Sequence, residues 1–83
     1  MSALVCYYRD GCHLCEELAA LLYRRWPAQA GLVEWRDVDR RDEWREAYGE
    51  LVPVLLAGTQ TICSLAPDPE RLAEYFGGVV NQL

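Results

Sequence analysis

The chain contains no lysine; all eight of its basic residues are arginine. This excludes catalysis through a lysine Schiff base and phosphate binding through a P-loop lysine. Long apolar runs are also missing. The longest, Leu51 to Ala57, has seven residues, against the roughly 20 that a membrane-spanning helix requires. The start, Met1 to Tyr8, lacks the basic residues and long apolar stretch of a secretory signal. Positive charge is scarce, because eight Arg face thirteen acids for a net charge of -5, a balance that repels nucleic acid. Repeats, low-complexity tracts and Gly-, Ser- or Pro-rich linkers are absent. These absences together predict a cytoplasmic protein with neither a membrane nor a nucleic-acid partner.

What remains is sufficient to fold. A chain that is 52% apolar with three Trp, five Tyr and one Phe can bury enough surface to offset its ordering entropy. At 83 residues it cannot divide into two parts that each hold a core, so residues 1–83 read as one domain.

Ala3 to Tyr8 is short, apolar and rich in strand formers, and Asp10-Gly11 stops it, which predicts a buried first strand. From Cys12 the period becomes helical through Leu14, Leu18, Leu21, Leu22 and Trp26, until Pro27 ends the helix. Leu32 to Val38 alternates as a second strand, with Val33, Trp35 and Asp37 on one side. Asp39 to Tyr48 reads as a short helix stopped by Gly49. Leu51–Ala57 and Gln60–Leu65 read as strands of a hairpin turning at Gly58-Thr59. Asp68-Pro69-Glu70 then opens a final helix whose buried stripe is Leu72, Tyr75, Phe76 and Val79. The predicted order is βαβαββα, an α/β fold with a mixed sheet flanked by helices.

Of the four cysteines, Cys12 and Cys15 are two residues apart, while Cys6 and Cys63 stand alone inside predicted strands. A disulfide framework normally closes longer loops. Placed where a strand passes into a helix, Cys12 meets backbone N–H groups with no intrahelical partner and the positive end of the dipole, so its thiolate is stabilised. Cys15, one turn further on, can attack a mixed disulfide formed at Cys12. His13 and Arg9 are the candidate tuners of the Cys12 sulfur, His13 standing against the alternative of a solvent-facing residue of the first turn. Arg9 can also hold a substrate carboxylate, or be an ordinary loop arginine. The competing reading of the pair is a zinc half-site, which needs a second ligand pair that the sequence does not offer. Cys6 and Cys63 read as small buried hydrophobes, Trp35 and Trp44 as core or half-buried faces, and Arg40, Arg41 and Arg45 as a solvated helix laced with acids.

These features resemble the glutaredoxin-like branch of the thioredoxin-fold superfamily. The resemblance spans nearly the whole chain and rests on Leu4 to Tyr8 leading into Cys12-His13-Leu14-Cys15, on Val38-Asp39, and on Val52-Pro53-Val54. It implies a thioredoxin fold with a four-stranded sheet, a cis bond before Pro53, and Val52, Pro53, Leu14 and Arg9 beside the substrate. From sequence alone Pro53 can equally be a trans proline at a strand start. It further implies a thiol-disulfide oxidoreductase, expected as a monomer with no permanently bound cofactor. Its substrates would be protein disulfides or glutathione mixed disulfides, with glutathione, another thiol or a flavoprotein as reductant. The alternative class is a binding module for glutathione, or for a [2Fe-2S] cluster held at Cys12 between two subunits, without turnover. The chain departs from glutaredoxins in carrying His13 and Leu14 where they usually have Pro and Tyr. It also has Leu65-Ala66-Pro67-Asp68 where they carry Gly-Gly before Asp, and Gly11 stands where thioredoxins have Trp.

Overall fold

The computed structural model describes residues 3–77. Its elements are β1 (Leu4–Tyr8), α1 (His13–Arg25), α2 (Pro27–Ala30), β2 (Val33–Asp37), a 3-10 turn (Val38–Arg40), α3 (Asp42–Tyr48), β3 (Val54–Ala57), β4 (Gln60–Ser64) and α4 (Pro69–Phe76). The sheet order is β2-β1-β3-β4. β1 is parallel to β2 and antiparallel to β3, and β3 is antiparallel to β4. This is the α/β arrangement read from the sequence, with α2 and the 3-10 turn added.

Strand alternation divides the core between the two faces of the sheet. Leu4, Cys6, Val33 and Leu55 point toward α1 and α4, where Leu18, Leu22, Trp26 and Leu72 cover them. Ile62 and Cys63 both join this layer because the β3–β4 register slips between Leu55 and Leu56. Tyr7 and Val54 point the other way, against Val38, Trp44 and Tyr48. Tyr7 stacks on Tyr48 with ring centroids 4.1 Å apart and meets Trp44 edge-on at 5.7 Å, which fixes α3 to the sheet.

Several boundaries differ from the sequence reading. The helical pattern resumes after Pro27, because proline is tolerated at a first helical position and Trp26 links the two segments. β2 starts only at Val33, since the Leu32 N–H closes the end of α2 on Gln29 and leaves the Leu32 side chain in water. At its other end the Asp37 carboxylate accepts the Asp39 N–H at 2.9 Å and bends Val38–Arg40 into a 3-10 turn. β3 starts at Val54, not Leu51, and β4 ends at Ser64, where Leu65 takes a φ of +76°. The hairpin turn at Gly58-Thr59 and the Asp68 cap of α4 are as read, the Asp68 side chain accepting from the Arg71 N–H. Val79 lies outside the described residues. No described helix is long and apolar enough to cross a membrane.

Candidate active site

The chain leaves β1 through a four-residue turn closed by the Cys12 N–H on the Arg9 carbonyl at 3.2 Å. Its third position needs a positive φ, and Gly11 supplies +78°. Cys12 is thereby set as the cap of α1, with extended φ and ψ, and its sulfur accepts the Cys15 backbone N–H at 3.1 Å. The Cys12 carbonyl takes the first intrahelical bond, from Glu16. The sulfur thus lies where helical N–H groups converge, the environment that favours a thiolate in the reduced protein.

Cys12 and Cys15 are joined as a disulfide, with Cα atoms 5.2 Å apart. Their exposure differs: Cys12 is half-buried and Cys15 is buried. An incoming group therefore meets Cys12 first.

The Val52–Pro53 peptide is cis. Continuing the antiparallel β1–β3 register by one residue sets Pro53 opposite Tyr8, at the end of β1 from which the cysteine turn departs. Pro53 is fully buried. The Leu65 N–H binds both flanking carbonyls of this segment, Leu51 at 2.9 Å and Pro53 at 3.2 Å. Among the described residues the Val52 backbone makes no hydrogen bond of this kind.

The remaining sequence candidates are placed less uniformly. Arg9 forms a fork with Asp39, Nε to Oδ2 at 3.0 Å and Nη2 to Oδ1 at 3.3 Å, and its Nη1 donates to the Gly49 carbonyl at 2.9 Å. All three nitrogens are thus engaged within the fold, where the sequence left open a cation for a substrate carboxylate or an ordinary loop arginine. The hydrogen bond raises the Arg9 pKa and lowers that of Asp39. His13 has its side chain 80% in water and donates from Nε2 to Glu17 at 2.8 Å, which is the solvent-facing alternative of the two readings. Leu14, counted in the helical stripe, is exposed instead, while its neighbour Cys15 faces the interior.

A cleft of about 260 Å³ opens beside the buried cysteine, lined by Tyr8, Arg9, Gly11, Cys15, Glu16 and Trp35. Trp35 meets Tyr8 edge-on at 6.3 Å. The sequence reading made Trp35 a core or half-buried face and overlooked Tyr8; Trp35 is half-buried, packs on the core and walls this cleft. The parallel pairing of β1 with β2 sets Trp35 opposite Cys6 and Tyr8 opposite Asp37, so the two rings sit two residues apart along neighbouring strands, a neighbourhood that no local sequence pattern states. Cys6 and Cys63 are buried on either side of Leu55, and burial raises both thiols, Cys6 to about 12. Among the described residues no three His, Cys, Asp or Glu side chains gather to hold a metal.

The family model of the glutaredoxin-like domain, DUF836, matches residues 3–77. The chain belongs to that glutaredoxin-like family. Its fold is similar to a protein of Nitrosomonas europaea solved by solution NMR, at 31% identity and a TM-score of 0.70 over 87% of both chains. It is likewise similar to an X. campestris protein solved by X-ray crystallography, at 32% identity and a TM-score of 0.68, over 89% of this chain and 95% of that one. No curated protein matches. The glutaredoxin-like domain and its Cys-x-x-Cys pair at disulfide distance fit a thiol redox module.

Proposed function

We propose that this glutaredoxin-like protein catalyses thiol-disulfide exchange, with Cys12 attacking and Cys15 resolving. The observation that carries the reading is the asymmetry of the pair: Cys12, at the start of α1, is only half-buried and receives the Cys15 N–H, while Cys15 is buried within bonding distance behind it. In the reduced protein the Cys12 thiolate attacks one sulfur of a substrate disulfide. A mixed disulfide forms at Cys12, and the first substrate thiolate leaves and takes a proton from water. Cys15 then loses its proton and attacks the Cys12 sulfur, closing the disulfide seen here and releasing the second substrate thiolate. Two electrons have passed to the substrate, and a thiol or flavoprotein reductant returns them.

The unpartnered Val52 backbone supports pairing with an extended substrate segment beside Pro53. The engaged guanidinium of Arg9 favours protein disulfides over glutathione mixed disulfides as substrates, because its charge already faces Asp39. The reductive direction suits a reducing compartment, the cytoplasm, and a monomer presents the site unobstructed. The test is reduction of hydroxyethyl disulfide and of a protein disulfide by the purified protein under dithiothreitol. Turnover of both that disappears in Cys12→Ser supports the proposal, and rates equal to the uncatalysed reaction refute it.

A further inference from the structure

We propose that the groove running from the dithiol along α1 docks an acidic stretch of the substrate protein, read by Arg24 and Arg25. This rests on the exchange reaction above. The groove measures about 580 Å³ and lies between α1 and the connector from β4 to α4. Leu14, Leu21 and Arg24 fall at helical positions i, i+7 and i+10, which is one face of α1. Ala66 and Pro67 form the opposite wall. The connector is tied at its beginning by the Leu65 N–H to the Leu51 and Pro53 carbonyls, next to the cis-proline segment, and Leu14, which lies between the two cysteines in sequence, lines the end of the groove nearest the dithiol.

The near end of this groove is apolar and its far end is cationic. Leu14, two residues from Cys12, lines this end and is exposed at 40%. Arg24 and Arg25 have neither ion-pair nor hydrogen-bond partners among the described residues, whereas Arg9, Arg36, Arg41 and Arg45 each form an ion pair. In a chain of net charge -5, two adjacent free guanidiniums at the end of a groove are a local reversal of sign. Glu17, the acid within the groove, is held by His13. Ten residues of helix from Leu14 to Arg24 span about 15 Å, the reach of about four to five extended residues. The occupant that fits is an extended segment with an apolar residue beside its cysteine and acids about four positions away.

Two peptide pairs test this, each a mixed disulfide on a cysteine flanked by leucine, with two Glu or two Lys four residues further on, made in both chain directions. The wild-type protein should reduce the Glu peptide about three- to tenfold faster than the Lys peptide, since exposed ion pairs are individually weak and two act together here. That preference should shrink in 0.5 M salt, vanish in Arg24→Gln/Arg25→Gln and invert in Arg24→Glu/Arg25→Glu. Hydroxyethyl disulfide should be reduced at one rate by all of these proteins. Equal rates on the Glu and Lys peptides, with hydroxyethyl disulfide still turned over, would mean that the arginine pair only complements the end of α1, and would overturn the groove while leaving the exchange reaction standing. A cysteine-free Glu peptide, titrated by NMR, should shift the amides of Leu14, Leu21, Arg24 and Ala66. No shift there overturns the groove even where the chemistry itself fails. Concentration-dependent dimerisation abolished by the Gln variant, with no peptide competing, would assign the groove to a second copy of this chain and overturn it equally.

Discussion

The backbone N–H of Cys15 points at the sulfur of Cys12 over 3.1 Å, so the residue we propose as the resolving one itself stabilises the sulfur it would attack. In the reduced protein this donor and the start of α1 should hold the Cys12 thiol below the ordinary value of about 8.5. Iodoacetamide labelling of Cys12 against pH should therefore reach its midpoint below about pH 7.5. Cys12→Ser should abolish exchange. Cys15→Ser should still form a mixed disulfide and retain it, visible by intact mass. Equal loss in both variants without a retained adduct would reverse the assigned roles.

His13 pairs with Glu17 on the outer surface of α1, which sets a small ceiling on its influence over the sulfur. An exposed ion pair is worth under about 1 kcal/mol. His13→Val should then move the Cys12 labelling midpoint upward by less than about half a pH unit. A rise of a full pH unit or more would show that the imidazolium acts on the sulfur directly.

Arg9 joins the cysteine turn to Asp39 and to the carbonyl of Gly49. A methyl group at Gly49 would lie 2.5 Å from the Arg45 carbonyl oxygen, closer than any real contact. Gly49→Ala should cost about 1–3 kcal/mol in urea unfolding, and it should perturb the Arg9 bond. The Asp39 carboxyl has its pKa lowered in the folded state by Arg9. Its contribution to stability is therefore complete above the unfolded value of about 3.9 and is lost as pH falls through the lower folded value. Asp39→Asn should reduce stability at neutral pH and flatten its decline below about pH 4. An acid limb identical to that of the wild type would remove the pair from the account.

Cys6 is fully buried in the sheet, and its thiol is pushed up to about 12 by burial, with Cys63 adding to the effect. A raised thiol pKa stabilises the fold fully below the unfolded value of about 8.5, and the contribution is lost as pH rises toward the folded value. Stability should fall between about pH 9 and 12, and Cys6→Ala should be less steep there, at a cost near neutrality of about 1 kcal/mol for the small cavity. Alkylation of the reduced, folded protein should spare Cys6 and Cys63 and reach them only after unfolding. Labelling of Cys6 at the rate of Cys12 would contradict its placement.

The elements were legible where the local signal was strong: the short apolar run of β1 stopped at Asp10-Gly11, the Leu18, Leu21, Leu22 stripe of α1, and the Asp68-Pro69 start of α4. They were least legible at their ends, where one side chain or one bond decides. Asp37 bends the chain at Val38, and Leu65 terminates β4 by binding two carbonyls far back in sequence. The cysteine pair and its helix cap could be read because all of its parts are local. The cleft formed by Tyr8 and Trp35, the fork between Arg9 and Asp39 and the groove ending at Arg24 depend on which strand or loop lies beside which. No local pattern states that pairing.

The most direct test of the exchange chemistry is the reduction potential of the Cys12–Cys15 disulfide, read by mass after equilibration in glutathione and dithiothreitol buffers. The account predicts a reversible pair between roughly -270 and -120 mV, the range of catalytic dithiols. A potential below about -300 mV would mark a structural disulfide and contradict it.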